Sequence, residues 1–232
     1  MKCYCYETDT QFIYCVEGAK GKIRKNLQAD RYWTKTDGGK FLKIYPMDSD
    51  WDDAWYLAPE YKQAVIDNFA RLGPAWIEGT FDWEAVLLFL AQKFKENDIE
   101  WYIMGSASEA VLGVDIKPHD IDIGVSTRDF YKVKDLFQDY VMEPLGDNKG
   151  KWLVRYFGKL CIDCASIDIA ADEKLNIENQ TLDKVSWHGY DLLITPLQVR
   201  YETEQQRKRK DRIKAIKAYM KKIKQKKEIF HA

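Results

Sequence analysis

Asp120-Ile121-Asp122-Ile123 sets two carboxylates at alternate positions of an apolar segment. Thirteen residues before it, the run Trp101-Tyr102-Ile103-Met104 ends in Gly105-Ser106. No other feature of the chain constrains its fold as much. Residues 100–104 predict a strand, 106–112 a short helix and 119–125 a second strand. A strand that turns on glycine into a helix and returns as a strand is a unit of an α/β layer. With period two, Asp120 and Asp122 share one face of the second strand, while Ile121 and Ile123 face the core.

Two carboxylates about 6 Å apart repel by roughly 3 kcal/mol at an effective dielectric near 20. A solvated strand end offsets that. A divalent cation offsets more, because hard oxygen ligands suit Mg²⁺. The spacing alone leaves both readings open. Gly105-Ser106 adds a second half. The free N–H groups of a helix N-terminus bind phosphate, and glycine lets the phosphate approach the backbone. The two halves together fit one ligand, a nucleoside triphosphate with its phosphates on the turn and its metal on the carboxylates. A two-metal site calls for a third carboxylate. Asp163 is the first candidate, because an unpaired charge among the apolar neighbours of Leu160-Cys161-Ile162-Asp163-Cys164 would be costly. Asp168 is the second.

Around this unit the pattern continues as α/β with a mixed sheet. Residues 1–50 read as a small β-α-β-β module. It has a strand at 11–16, a helix at 20–29 and a hairpin of 31–35 with 41–45 about Asp37-Gly38-Gly39. The acidic stretch Pro46 to Asp53 is the expected boundary. The core, 51–195, opens with two helices, the first from Pro59 to a stop at Gly73-Pro74, the second capped by Thr80. Thr127 caps a further helix. Segments 152–157 and 160–165 pair about Gly158-Lys159, and Trp187-His188-Gly189-Tyr190 begins another hairpin. Residues 196–232 form a C-terminal helical segment opened by Pro196.

Charge is unevenly placed. The net charge is −1, yet Arg207 to Lys227 holds twelve Lys/Arg and one acid, so residues 1–206 sum to about −11. The longest apolar run, Ala85 to Ala91, is far short of the roughly 20 residues that span a bilayer. With no leader pattern at Met1-Lys2-Cys3-Tyr4, the expectation is a cytoplasmic protein without membrane contact. The five cysteines lack disulfide-scaffold spacing. A zinc site from Cys3, Cys5, Cys161 and Cys164 is disfavoured, since residues three apart on a strand face opposite ways, and reduced buried thiols are expected.

Gly105-Ser106, the gap, and Asp120-Ile121-Asp122-Ile123 resemble the signature of the DNA polymerase beta-like nucleotidyltransferase superfamily. Lys117-Pro118-His119-Asp120 is similar especially to its small antibiotic-modifying members, such as the lincosamide nucleotidyltransferases. The resemblance covers roughly 80–220 and leaves the first fifty residues outside the pattern. It implies a nucleotidyltransferase-like mixed sheet flanked by helices. It also implies transfer of a nucleoside monophosphate from a Mg²⁺-bound triphosphate to a hydroxyl of a small molecule or protein. Asp120, Asp122 and Asp163 would hold Mg²⁺, and Gly105 and Ser106 the phosphates. Lys117 is a candidate to neutralise phosphate. Arg207-Lys208-Arg209-Lys210-Asp211 is similar to a run in which a lysine approaches the triphosphate, so Lys208 and Lys210 are candidates beside the plainer reading of a solvated basic helix. The alternative function is an inert or regulatory, antitoxin-like module. It would bind a protein partner, or nucleic acid through the basic C-terminal helix.

Overall fold

The first residues of the chain alternate weakly, with Cys3 the one buried position between Lys2 and Glu7, and the sequence reading gives no strand there. In the computed structural model, which describes residues 1–30, 32–47, 59–150 and 153–230, they form β1 (Lys2–Glu7). It pairs antiparallel with β2 (Gln11–Glu17). Helix α1 (Gly21–Ala29) leads to β3 (Lys35–Asp37) and β4 (Lys40–Pro46), joined at Gly38-Gly39. The sheet order is β1-β2-β4-β3. From residue 48 the expected boundary segment lies outside the described residues.

Helix α2 (Pro59–Glu78) runs past Gly73-Pro74, where the sequence predicts a stop. Gly73 serves packing: a Cβ there would stand 2.8 Å from Cys3 Cβ, so its absence lets α2 approach β1. Helix α3 (Trp83–Glu96) is capped by Asp82, not Thr80; Asp82 Oδ1 accepts the N–H groups of Glu84 at 3.0 Å and Ala85 at 3.3 Å.

The larger sheet contains β5 (Trp101–Ile103), β6 (Ile121–Val125), β7 (Val141–Asp147), β8 (Tyr156–Ile162), β9 (Ala165–Ala171), β10 (Asp183–Trp187) and β11 (Tyr190–Ile194). Its order is β10-β11-β5-β6-β9-β8-β7. β6 runs parallel to β9 and β5 to β11, while the other pairs are antiparallel. This is the mixed sheet expected. Helices α4 (Gly105–Val111), α5 (Phe130–Leu136), α6 (Leu197–Gln206) and α7 (Lys210–Phe230) complete the described elements. No helix among the described residues is long and apolar enough to cross a membrane.

One hairpin differs from expectation in a way that matters for the site. Gly158 and Lys159 lie inside β8, and the chain reverses at Asp163-Cys164, with φ of +45° and +67°. These two residues make a primed hairpin turn without glycine. Gly158 is needed for close packing instead, since a Cβ there would meet Leu145 Cα at 2.6 Å. One hydrophobic core runs from Phe12 and Tyr14 of β2, through Val65 and Phe69 of α2, to Leu145, Leu160 and Ile121. Tyr14 and Phe69 meet edge to face at 5.0 Å.

Candidate active site

The turn after β5 is shaped by a missing side chain. Gly105 has φ +60°, and a Cβ on it would fall 1.8 Å from Asp122 Oδ2. Only glycine lets the Asp122 carboxylate lie against the start of α4. The backbone fixes the same contact, with Met104 N–H donating to Asp122 C=O at 2.8 Å. Ser106 follows, 4% exposed, and its Oγ has no hydrogen-bond partner. A buried hydroxyl left unpaired costs about 1–3 kcal/mol, so this atom is poised for an acceptor that the protein itself does not supply.

Gly105, Ser106, Asp120 and Asp122 line a cavity of about 100 Å³ together with Arg200, Arg207, Arg209 and Arg212. Arg200 is buried. Its Nε donates to Glu109 Oε1 at 2.9 Å and its Nη2 to Glu204 Oε1 at 2.6 Å. Glu109 and Glu204 are both fully buried, so this triad ties α4 to α6. Arg212 stands 3.5 Å from Glu109, and Arg209 3.6 Å from Glu204. The chain reverses at Lys208, with φ +57°, and restarts as α7. That phase brings Arg209 and Arg212 to the rim of the cavity, Arg212 half-buried and Arg209 exposed.

Behind Asp122 a row of charges crosses four adjacent strands in register. Asp122 on β6 pairs with Asp168 on β9, Asp168 with Lys159 on β8, and Lys159 with Glu143 on β7. Lys159 Nζ donates to Asp168 Oδ1, and to Ser166 Oγ at 3.1 Å. Glu143 accepts from Lys43 Nζ at 2.7 Å and from Tyr45 OH at 2.8 Å, both on β4 of the smaller sheet. Burial, then the neighbouring Asp120 and Asp168, push the Asp122 carboxyl up to about 6, against the pull of Lys159 and Arg200. Burial also raises Asp168, opposed by Lys159. At Lys159 burial acts to lower the pKa, but Asp168 and Glu143 outweigh it and the net direction is up.

The structure brings Gly105, Ser106, Asp120 and Asp122 together. Asp120 sits in the bend just before β6 and not within the strand. It does not bring in Asp163, which is exposed in the β8–β9 turn. That residue was expected mid-strand because the hairpin was read about Gly158-Lys159. Asp168, the second candidate, faces Asp122 instead. Lys117 lines a separate cavity with His119. Neither Lys208 nor Lys210 lines the small cavity, where Arg207, Arg209 and Arg212 stand. The buried Arg200–Glu109 pair escaped the sequence reading because its partners lie far apart in the chain. Arg200 and Glu204, four apart in a helix, were the one local signal.

Among the described residues, no group of three or more His, Cys, Asp or Glu side chains is arranged to hold a metal ion. Two carboxylates on one wall still fit Mg²⁺, which commonly takes one or two protein carboxylates and fills its octahedron with water and substrate phosphate.

The mixed sheet and this cavity fit the resemblance to nucleotidyltransferases read from the motifs. More particularly, the sequence profile of the aminoglycoside-2″-adenylyltransferase family matches residues 86–184, a span that holds Gly105, Ser106, Asp120, Asp122 and Asp168. The resemblance read from the motifs is borne out at the level of that class. No curated protein sequence matches the chain. Among solved structures, a nucleotidyltransferase-type protein of Thermotoga maritima is 21% identical, over 60% of this chain and 93% of that one, with a TM-score of 0.45. The lincosamide antibiotic adenylyltransferase LnuA, solved with lincomycin bound, is 15% identical over 58% and 96%, with a TM-score of 0.43. ANT(2″)-Ia, solved with adenylyl-2″-tobramycin, is 10% identical over 60% and 90%, with a TM-score of 0.42.

Proposed function

We propose that this chain transfers AMP from a Mg²⁺-bound nucleoside triphosphate to a hydroxyl of a small molecule. The observation that carries the reading is the cavity at Gly105. Guanidinium groups and carboxylates line it together, with an unpartnered Ser106 hydroxyl alongside. Such a cavity suits a ligand that is itself an anion with attached cations. The adenylyltransferase profile supports AMP as the group transferred.

The residues take complementary roles in this mechanism. Ser106 Oγ and the backbone at Gly105 receive the triphosphate, and the arginine wall offsets the charge of departing pyrophosphate. Bound at Asp120 and Asp122, Mg²⁺ would supply Lewis-acid neutralisation of the phosphate oxygens. Asp168 has its Oδ1 held by Lys159, which leaves Oδ2 to take the acceptor proton. The acceptor oxygen then bonds to the α-phosphorus, the bond to the bridging oxygen breaks, and pyrophosphate leaves.

The test is calorimetric titration of each of the four nucleoside triphosphates, with and without Mg²⁺, into the wild-type protein and Asp122→Asn. Mg²⁺-dependent binding of ATP that the variant loses is the expected result. Absence of triphosphate binding by folded wild-type protein refutes the reading.

A further inference from the structure

A second, larger cavity, of about 320 Å³, lies between the end of α2, the loop at Lys117-Pro118-His119 and the β8–β9 turn. We propose that it is the acceptor site, and that it takes a hydroxyl-bearing molecule with an aromatic or apolar body and a neutral or negative charge, in preference to a polycationic aminosugar. The inference rests on the nucleotidyltransferase reading and names the substrate class of that site.

Position comes first. His119 lines this cavity and directly precedes Asp120. Ser166 lines it too, and stands two residues before Asp168 on β9, hence on the same face of the strand. One ammonium, that of Lys159, joins Ser166 Oγ and Asp168 Oδ1. The cavity therefore lies one residue along the chain from Asp120 and on the β9 face that carries the proposed base. The smaller cavity is lined by Asp120 and Asp122 themselves, with Gly105 and the arginines, and no residue lines both. A transfer between two ligands needs two entrances of this kind, converging on one cluster.

Chemistry comes second. Trp76 and Phe81 give the wall two aromatic faces, and Pro118 and Cys164 extend its apolar part. Its basic groups are Lys117 and His119. Among the described residues no carboxylate lines it. A polycationic aminosugar needs acceptors for its ammonium groups, and this wall offers nitrogen donors beside aromatic surface. A flat or apolar body is served by the rings, and a carboxylate or phosphate by Lys117. The volume lies at the small end of the roughly 300–1,000 Å³ usual for small-molecule sites, matching one or two rings. A Cβ on Gly79 would meet Cys164 Cβ at 2.7 Å, so the end of α2 lies directly against the β8–β9 turn.

Titration calorimetry with three probes tests this: 4-nitrophenyl β-glucoside (neutral), mandelate (anionic) and tobramycin (polycationic). Each is added to the protein alone and to the protein with Mg²⁺ and α,β-methylene-ATP. The two aryl probes are expected to bind at least tenfold tighter than tobramycin. Phe81→Ala and Trp76→Ala should each weaken them about tenfold. Trp76 also packs on Tyr32 and Trp33, so Phe81→Ala is the informative variant if Trp76→Ala does not fold. Lys117→Glu should weaken mandelate and strengthen tobramycin. Tobramycin binding as tightly as the aryl probes, aryl binding indifferent to Phe81→Ala, or no binding by any probe overturns the inference. Failure of the nucleotide analogue to bind overturns the nucleotidyltransferase reading instead. The nucleotide-free titrations keep the two outcomes apart.

Discussion

Replacing Lys159 by methionine keeps the aliphatic stem and removes the ammonium that separates Glu143 from Asp168. Near 3 Å and at an effective dielectric of about 20, the Lys159–Asp168 attraction is worth roughly 5 kcal/mol before desolvation. Returning one ammonium to water recovers part of that, and breaking a buried pair by removing one partner costs about 3–5 kcal/mol net. Glu143 keeps Lys43 and Tyr45, so the loss falls mainly on Asp168. We therefore expect the low end, about 3 kcal/mol at pH 7. For a chain of this size that is a fall in Tm of roughly 6–12 °C. The pH dependence is diagnostic. Burial already raises Asp168, and without Lys159 its folded pKa rises further. A carboxyl raised on folding is stabilising while protonated, and that stability is lost as pH climbs through the folded pKa. The deficit of Lys159→Met should thus be widest at pH 7–8 and shrink towards pH 5. Thermal melts followed by circular dichroism between pH 5 and 8 measure it. A Tm within 2 °C of wild type at pH 7, or a deficit that widens on acidification, refutes the coupling.

Further predictions concern the small cavity. Gly105→Ala drives a methyl group into Asp122 Oδ2 and should weaken Mg²⁺–triphosphate binding at least tenfold, as read by calorimetry. Asp168→Asn should abolish nucleotidyl transfer while Asp163→Asn leaves it within about twofold; the reverse outcome in a pyrophosphate-release assay would return the third-acid role to Asp163. Because Asp122 sits at about 6, protons compete with Mg²⁺ below that pH. Affinity for Mg²⁺–ATP should rise as pH increases towards 7 and then level off, a profile that Asp122→Asn should flatten.

What could be read from the sequence was local. Gly105-Ser106 and Asp122 are separated by one short helix, so their meeting required only the periods of helix and strand. The arginine wall required three helices in their places: Arg200 from α6, Arg212 from α7 and Glu109 from α4. Glycine misled twice for one reason. Gly73 and Gly158 look like punctuation, yet each is present because a neighbour lies where a Cβ would go. The actual reversal, Asp163-Cys164, carries no glycine and so gave no turn signal. β7 was hidden by Pro144, which suits a strand only at a sheet edge or a bulge, and by Gly146, which weakens a strand pattern; an edge is where β7 lies.

The alignment of the charge row depends on an irregularity in that same strand. Val141 opposes Leu160, but Glu143 opposes Lys159, so β7 contains one more residue than β8 between the two pairs. In a regular ladder Met142 would stand against Lys159 and Glu143 against Gly158. The bulge brings a carboxylate to the ammonium that a regular strand would leave facing a thioether. It also turns Glu143 to where Lys43 and Tyr45 of the smaller sheet reach it. Bulges re-aim side chains beside functional sites, and this one connects the first fifty residues, which match no part of the nucleotidyltransferase pattern, to Asp168. Those residues are thereby linked, through Glu143 and Lys159, to the proposed third acid, a link for which sheet register and packing are sufficient.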